Sequence, residues 1–279
     1  MPTTPRAACV IGWPAKHSRS PKLHGYWIKR YNIAGDYRIE EVKPEDFAGF
    51  VTNLAANGYI GANVTMPHKD MALALSEPDN RAKAVGAANT LWLDNGRLRA
   101  TNTDVEGFIG ALDAAAPGWD QRTRRAVVLG AGGASRAVVY GLIERGIAHI
   151  DVVNRTYDRA VALAQRFGDT VHPHRWEALP GLIAGAGLLA NSTSLGMKGQ
   201  PPLDIDISAL PRDAVVSDIV YVPLKTPLLA AAEARGLKYS NGLDMLLYQA
   251  VRGFNLWFGV RPEVTRELYD LLAADIVGA

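Results

Sequence analysis

Two short stretches carry side chains whose types and spacing could bind a dinucleotide. In VVLGAGGASRA, Gly130, Ala131, Gly132, Gly133 and Ala134 stand between an apolar segment and a helical one. There Gly130 permits a tight turn, and Gly132 lets the backbone approach a pyrophosphate at a helix N-terminus. The third fingerprint position is Ser135, still small enough for close helix packing. The next apolar segment ends in Asn154, Arg155 and Thr156, where an NAD-binding chain would place a ribose-binding acid. No carboxylate stands there. Arg155 can pair with a 2′-phosphate, Asn154 and Thr156 can donate hydrogen bonds, and Arg159 follows one helical turn later. These residues point to NADP as the cofactor, against the plainer alternatives of a ligand-free turn and surface arginines.

An NADP-linked reductase also needs a proton donor beside the carbon it reduces. Lys69 ends the stretch NVTMPHK, where Pro67 suits the first helical position and the lysine falls in the first turn. A cation there is disfavoured by about 0.3–1 kcal/mol. A solvated lysine that tolerates this penalty and a proton donor are both compatible with the pattern. In ATNTDVEG, Asp104 opens a helical segment and is either an ordinary cap or a carboxylate offered to a site.

The elements around these residues form two series. AACVIG, DYRIEEV and YIGANVT read as strands, followed in turn by helical stretches at Pro21 to Tyr31, Pro44 to Asn57 and Pro67 to Leu75. That rhythm breaks at NTLWLDNGRLRATN, where Asn95-Gly96 predicts a tight hairpin. A second βα series runs from RAVVLGAGG through HIDVVNRT and AGLLANST to DAVVSDIVY, and helical patterns follow at Met245 to Phe258 and Pro262 to Ala273. With 279 residues the chain exceeds what one core usually organises. The fold class expected is α/β in two domains: an N-terminal α/β domain with a mainly parallel sheet, and a Rossmann-like dinucleotide-binding domain.

Hydrophobic residues make up 48% of the chain, charged ones 21%, and the formal net charge is +2, which favours neither a nucleic-acid nor a membrane partner. The densest basic cluster, RTRR at Arg122 to Arg125, reads as the solvated approach to a strand. Cys9 is the only cysteine, so no disulfide can form within the chain. His172 and His174 flank Pro173 in an expected loop, without metal-ligand spacing. The N-terminus lacks a basic start followed by an apolar stretch, and no run reaches the ~18 apolar residues of a membrane span. A cytoplasmic protein is expected.

The ordered set HSRSP, NVTMPHK, GAANT, TNTD, GAGGASRA, NRT, NSTSLGM and GLDMLLYQA resembles the shikimate dehydrogenase family, from the first strand to the last helices. The resemblance implies reversible reduction of 3-dehydroshikimate to shikimate with NADP, in aromatic amino-acid (chorismate) biosynthesis. It implies that Lys69 and Asp104 form the catalytic pair. Ser18 and Ser20 would hold the substrate carboxylate, while Thr65, Asn89, Gln249 and Tyr221 would contact the substrate or wall its pocket. Ile219 and Gly242 would line the nicotinamide. It implies a substrate domain of residues 1–103 to which 241–279 return, an NADP domain over 104–240, and a cleft that closes over the ligands. The partner expected is a small molecule, and the chain is expected to be a monomer or a homodimer. Two other readings remain open in the sequence: a quinate/shikimate dehydrogenase using NAD or NADP, and a non-catalytic NADP-sensing regulatory protein.

Overall fold

The computed structural model describes residues 6–278; Met1–Pro5, on which part of the N-terminal reading falls, and Ala279 lie outside the described residues. The chain divides into two compact units, the residues up to Thr103 with Gln249–Leu272, and Asp104–Tyr248 with the residues from Ala273. The family resemblance implies that all of 241–279 returns to the first domain. By compactness, only the middle of that stretch belongs to the first unit.

The first unit begins β1 (Arg6–Gly12), α1 (Ser20–Arg30), β2 (Gly35–Glu41), α2 (Phe47–Thr52), β3 (Tyr59–Val64) and α3 (Lys69–Ala74). It continues with β4 (Glu77–Pro78), α4 (Asn80–Val85), β5 (Thr90–Asp94) and β6 (Arg97–Thr101). The six strands lie in the order β2-β1-β3-β5-β6-β4. Strand β1 pairs in parallel with β2 and β3, and the hairpin β5–β6 adds the antiparallel part. Its turn is the Asn95-Gly96 pair, with φ of 50° and 77°. One buried cluster packed against this sheet includes Cys9, Ile11, Phe47, Val51, Ala62 and Leu91.

Three elements depart from the sequence reading. The helix expected over Pro44 to Asn57 covers only Phe47–Thr52. Asn53 Nδ2 donates to the Gly49 carbonyl, the acceptor that the next helical N–H would use, and the helix ends there. Helix α3 begins at Lys69 itself, because the His68 N–H closes a turn onto the Thr65 carbonyl and leaves Pro67 inside that turn. The last helix starts at Arg266 rather than Pro262, with Thr265 Oγ1 accepting from Leu268 N.

The second unit comprises α5 (Asp104–Ala115), α6 (Trp119–Arg122), β7 (Arg125–Leu129), α7 (Gly133–Glu144), β8 (His149–Asn154) and α8 (Tyr157–Phe167). Then follow β9 (Val171–Arg175), α9 (Leu179–Ile183), β10 (Leu188–Asn191), β11 (Val215–Asp218), α10 (Pro227–Ala234) and β12 (Lys238–Ser240). Helices α11 (Gly242–Phe258) and α12 (Arg266–Val277) complete the chain, and the division between units runs through both. All pairs in this sheet are parallel, in the order β12-β11-β10-β7-β8-β9. The order reverses between β7 and β10, the switch point where such sheets bind ligands at their carboxyl ends. Both faces are covered: Ala126 and Val128 of β7 enter one buried cluster, Val127 and Leu129 the other.

His172 and His174 are in strand β9, not in a loop. Because β9 is the sheet edge, Pro173 is tolerated there. Arg125 is likewise not simply solvated, since its Nε donates to the buried Asp151, which also bonds His174 Nε2 at 2.6 Å. Arg125 and its hydrogen bond hold the Asp151 carboxyl below the usual range despite burial. Among the described residues, no helix is long and apolar enough to cross a membrane.

Candidate active site

The first unit gathers its polar groups beyond the carboxyl ends of β1 and β3. The turn after β1 carries Ser18 and Ser20, and Ser20 opens the eleven-residue helix α1. Ser18 Oγ accepts from Ser20 N at 3.3 Å, so Ser18 rather than Ser20 meets the helix backbone. Thr65 follows β3, its N–H bonded to the Ile11 carbonyl at 2.9 Å. The half-buried Lys69 is fixed through its main chain, whose carbonyl accepts from Ala88 N at 3.0 Å. Ala88 belongs to GAANT, so one hydrogen bond ties two of the sequence motifs together.

Asn89 is buried, and Thr103 N donates to its Oδ1 at 2.7 Å. The hydroxyls of Thr90 and Thr103 lie 3.2 Å from the same oxygen. With its oxygen so engaged, Asn89 presents its Nδ2 side as a donor. Gln249 of α11 is buried in the same network, its Oε1 accepting from Thr103 Oγ1 at 3.4 Å. The structure thus brings together Ser18, Ser20, Thr65, Lys69, Asn89 and Gln249 within one unit. Asp104 and Tyr221 belong to the other.

Beside this network lies an aromatic floor. His24 is fully buried, stacked on Tyr37 at 4.1 Å and 16° and facing Phe254 at 5.9 Å. Neither of its ring nitrogens has a hydrogen-bond partner. Burial, opposed in smaller measure by the nearby Asn63 side chain, pushes its pKa down to about 3. The ring is therefore neutral in the native state, whereas in the unfolded chain it protonates near 6.5. The unfolded state binds more protons between those values, and stability falls as pH falls below about 6.5. From pH 7 to pH 5 this amounts to about 2 kcal/mol. His24→Phe is expected to remove that share of the acid loss, read by denaturant unfolding at the two pH values; an unchanged difference would contradict the assignment.

In the second unit the glycine-rich loop lies between β7 and α7, at the switch point. Gly130 has φ of 103°, and a Cβ there would come within 2.8 Å of Thr193 Cγ2. Ser135, the departure from the fingerprint, is buried; its Oγ accepts from Gly132 N at 3.0 Å and bonds Ser192 Oγ at 2.8 Å. Ser192 Oγ in turn donates to the Leu129 carbonyl at 2.7 Å. A Cβ at Gly132 would meet nothing within 4 Å, which leaves room for a pyrophosphate beside Gly133 and Ala134 at the head of the twelve-residue α7. Arg155, Thr156 and Arg159 are exposed at the end of β8 and start of α8. Asn154 serves as a brace: Ala131 N donates to its Oδ1 at 3.2 Å, and its Nδ2 donates to the Thr156 carbonyl at 2.7 Å. Ile219 and Gly242 are in contact, since a Cβ on Gly242 would lie 2.0 Å from the Ile219 carbonyl oxygen. Only glycine permits that approach. The residues present fit a phosphorylated dinucleotide.

Three family models match the chain: the shikimate dehydrogenase substrate binding domain over residues 10–91, shikimate / quinate 5-dehydrogenase over 114–198, and the shikimate 5′-dehydrogenase C-terminal domain over 242–266. The shikimate dehydrogenase (NADP(+)) of Rhodopseudomonas palustris strain TIE-1 is 65% identical over 276 residues, 99% of each chain. The chain belongs to the shikimate dehydrogenase family. Among solved members, the Thermus thermophilus enzyme in complex with NADP(H) and shikimate is 34% identical, with a TM-score of 0.85 over 97% of this chain and 99% of that one. A quinate dehydrogenase from Corynebacterium glutamicum in complex with NAD is 30% identical, with a TM-score of 0.88 over 96% and 99%.

Within this member of the shikimate dehydrogenase family, sequence reasoning missed the residues that hold the expected ones. Asp218 is buried and accepts from Asn191 Nδ2 at 2.9 Å, Thr226 Oγ1 at 2.7 Å and Val220 N at 3.0 Å, fixing the turn that carries Ile219 and Tyr221. The signal available was an acid inside the apolar run VVSDIVY. Thr103, Thr90 and Asn63 also escaped notice, because polar residues in a strand-turn region are common.

Proposed function

We propose that this protein is an NADP-dependent shikimate dehydrogenase that interconverts 3-dehydroshikimate and shikimate in aromatic amino-acid biosynthesis. The observation that carries this reading is the near-full-length identity to a protein of that name. Six of the residues assigned to the substrate belong to the first unit. Ser18 and Ser20 donate to the carboxylate at the head of α1, where the helix dipole favours an anion. Asn89 and Gln249 donate to ring hydroxyls through their amide nitrogens, and Thr65 and Tyr221 complete the pocket wall. Lys69 gives a proton to the carbonyl oxygen during reduction and withdraws it from the hydroxyl during oxidation, with Asp104 as its catalytic partner.

A bound coenzyme would supply the hydride to ring carbon C3 as NADPH, or accept it there as NADP+. Gly130, Ala131, Gly132, Gly133 and Ala134 form the loop that holds its pyrophosphate, and Arg155, Thr156 and Arg159 recognise the 2′-phosphate, with Asn154 bracing them. Ile219 and Gly242 flank the nicotinamide. In this reading the enzyme is cytoplasmic, monomeric or dimeric, and meets only small molecules.

Initial rates with shikimate or quinate, each with NADP or NAD, test the assignment. The shikimate and NADP pair is expected to exceed every other by about tenfold or more in kcat/KM. The likeness to a quinate dehydrogenase supports a second reading, oxidation of quinate. A quinate rate equal to that of shikimate would establish it, and a preference for NAD would overturn the coenzyme assignment.

A further inference from the structure

We propose that Arg175, carried on the ring of Tyr157, is a third arginine of the coenzyme site and helps to select a 2′-phosphorylated nucleotide. The proposal rests on reading Arg155, Thr156 and Arg159 as contacts of that phosphate. Arg175 belongs to the next strand, so the NRT stretch and its helix give no hint of it.

Strand pairing brings the two segments together. β8 and β9 are parallel neighbours, and Arg175, the last residue of β9, stands in register with Asn154, the last of β8. Backbones so paired lie about 4.8 Å apart. Arg175 therefore starts beside Asn154, where the chain passes through Arg155 and Thr156 into α8. Side chains alternate along a strand, so Asn154 and Arg175 share a face with Ile150, Val152 and Val171. That is the face α8 covers, because those three residues join Ala160 and Leu163 of α8 in one buried cluster.

The guanidinium then reaches the first turn of α8. Arg175 Cζ lies 4.7 Å from the centroid of the Tyr157 ring, and Tyr157 is the first residue of that helix, between Arg155 and Arg159 in the sequence. A guanidinium lying over an aromatic face gives its flat surface to the ring and keeps its edge N–H groups for an acceptor. The half-buried Tyr157 also restricts where the exposed Arg175 can go, which lowers the ordering cost of binding. A phosphate offers three acceptor oxygens, enough for several guanidinium edges. The eleven-residue α8 turns its positive end to the same place, and Thr156 spends no side-chain hydrogen bond on capping it.

Adenosine 2′,5′-bisphosphate and adenosine 5′-monophosphate differ only in the 2′-phosphate, and their binding to the full-length protein, measured by calorimetry, tests the proposal. Arg175→Ala is expected to weaken the bisphosphate about threefold to tenfold and the monophosphate less than about twofold, with the KM values for NADP and NAD moving in the same ratio. Tyr157→Ala should lose part of the same discrimination, and Tyr157→Phe should restore it, since the ring remains. The double alanine variant should be no worse than Arg175→Ala alone. Equal losses of the two nucleotides in Arg175→Ala, or a lowered melting temperature with both affinities unchanged, would overturn the proposal. Arg155→Ala separates it from the reading beneath it. A loss selective for the bisphosphate in Arg155→Ala but not in Arg175→Ala would overturn the role of Arg175 alone, and no selective loss in either would overturn the 2′-phosphate site as well.

Discussion

Lys69→Ala is expected to lower kcat for shikimate oxidation by roughly 10²–10⁴-fold while the KM for shikimate changes less than about threefold. The split follows from where the lysine is held. Its main-chain carbonyl receives the Ala88 N–H, so removing the side chain leaves GAANT and Asn89 in place, and alanine suits the start of α3. The carboxylate and hydroxyl contacts assigned to Ser18, Ser20, Asn89 and Gln249 stay, and with them most of the ground-state binding. Only the proton transfer disappears. Lys69→Arg should not restore the rate, since a guanidinium keeps its charge but does not release its proton near neutral pH. Near-normal turnover in Lys69→Ala would show that another group moves the proton.

Arg155→Ala is expected to raise the KM for NADP about tenfold and to leave that for NAD almost unchanged, because one charge-assisted contact contributes about 1.5 kcal/mol. Removing Arg159 as well should extend the loss to about a hundredfold. Both side chains are exposed, so the variants should fold normally. Asn154 is a different kind of residue, since it bonds both Ala131 N and the Thr156 carbonyl. Its replacement should loosen the loop and weaken both coenzymes. Equal losses of NADP and NAD in Arg155→Ala, measured by coenzyme titration, would remove the arginine from 2′-phosphate recognition.

The parts of the fold legible in the sequence were those set by local chemistry. The absence of an acid after β8, the Asn95-Gly96 turn and the strand-glycine-helix order at Gly130 each depend on residues within a few positions of one another. Elements governed by competition differ from the sequence reading: α2 stops where the Asn53 side chain takes the Gly49 carbonyl, and α3 starts late because His68 closes a turn onto Thr65. The support of the site was not legible at all. Tyr37 and Asn63 are 26 positions apart, and Thr103 and Gln249 are 146 apart, so only sheet pairing and the return of α11 bring them together. Ser18, Asn89 and Gln249 were named through the family resemblance, whereas the direction of their hydrogen bonds came from the structure.

This chain is expected to interconvert 3-dehydroshikimate and shikimate with NADP(H) as the hydride carrier. Incubating the purified protein with 3-dehydroshikimate and NADPH, then quantifying product by chromatography against loss of reduced-coenzyme absorbance, tests it most directly. Equimolar formation of shikimate and oxidised coenzyme is the expected result, whereas no coenzyme oxidation, or oxidation without shikimate, would contradict the account.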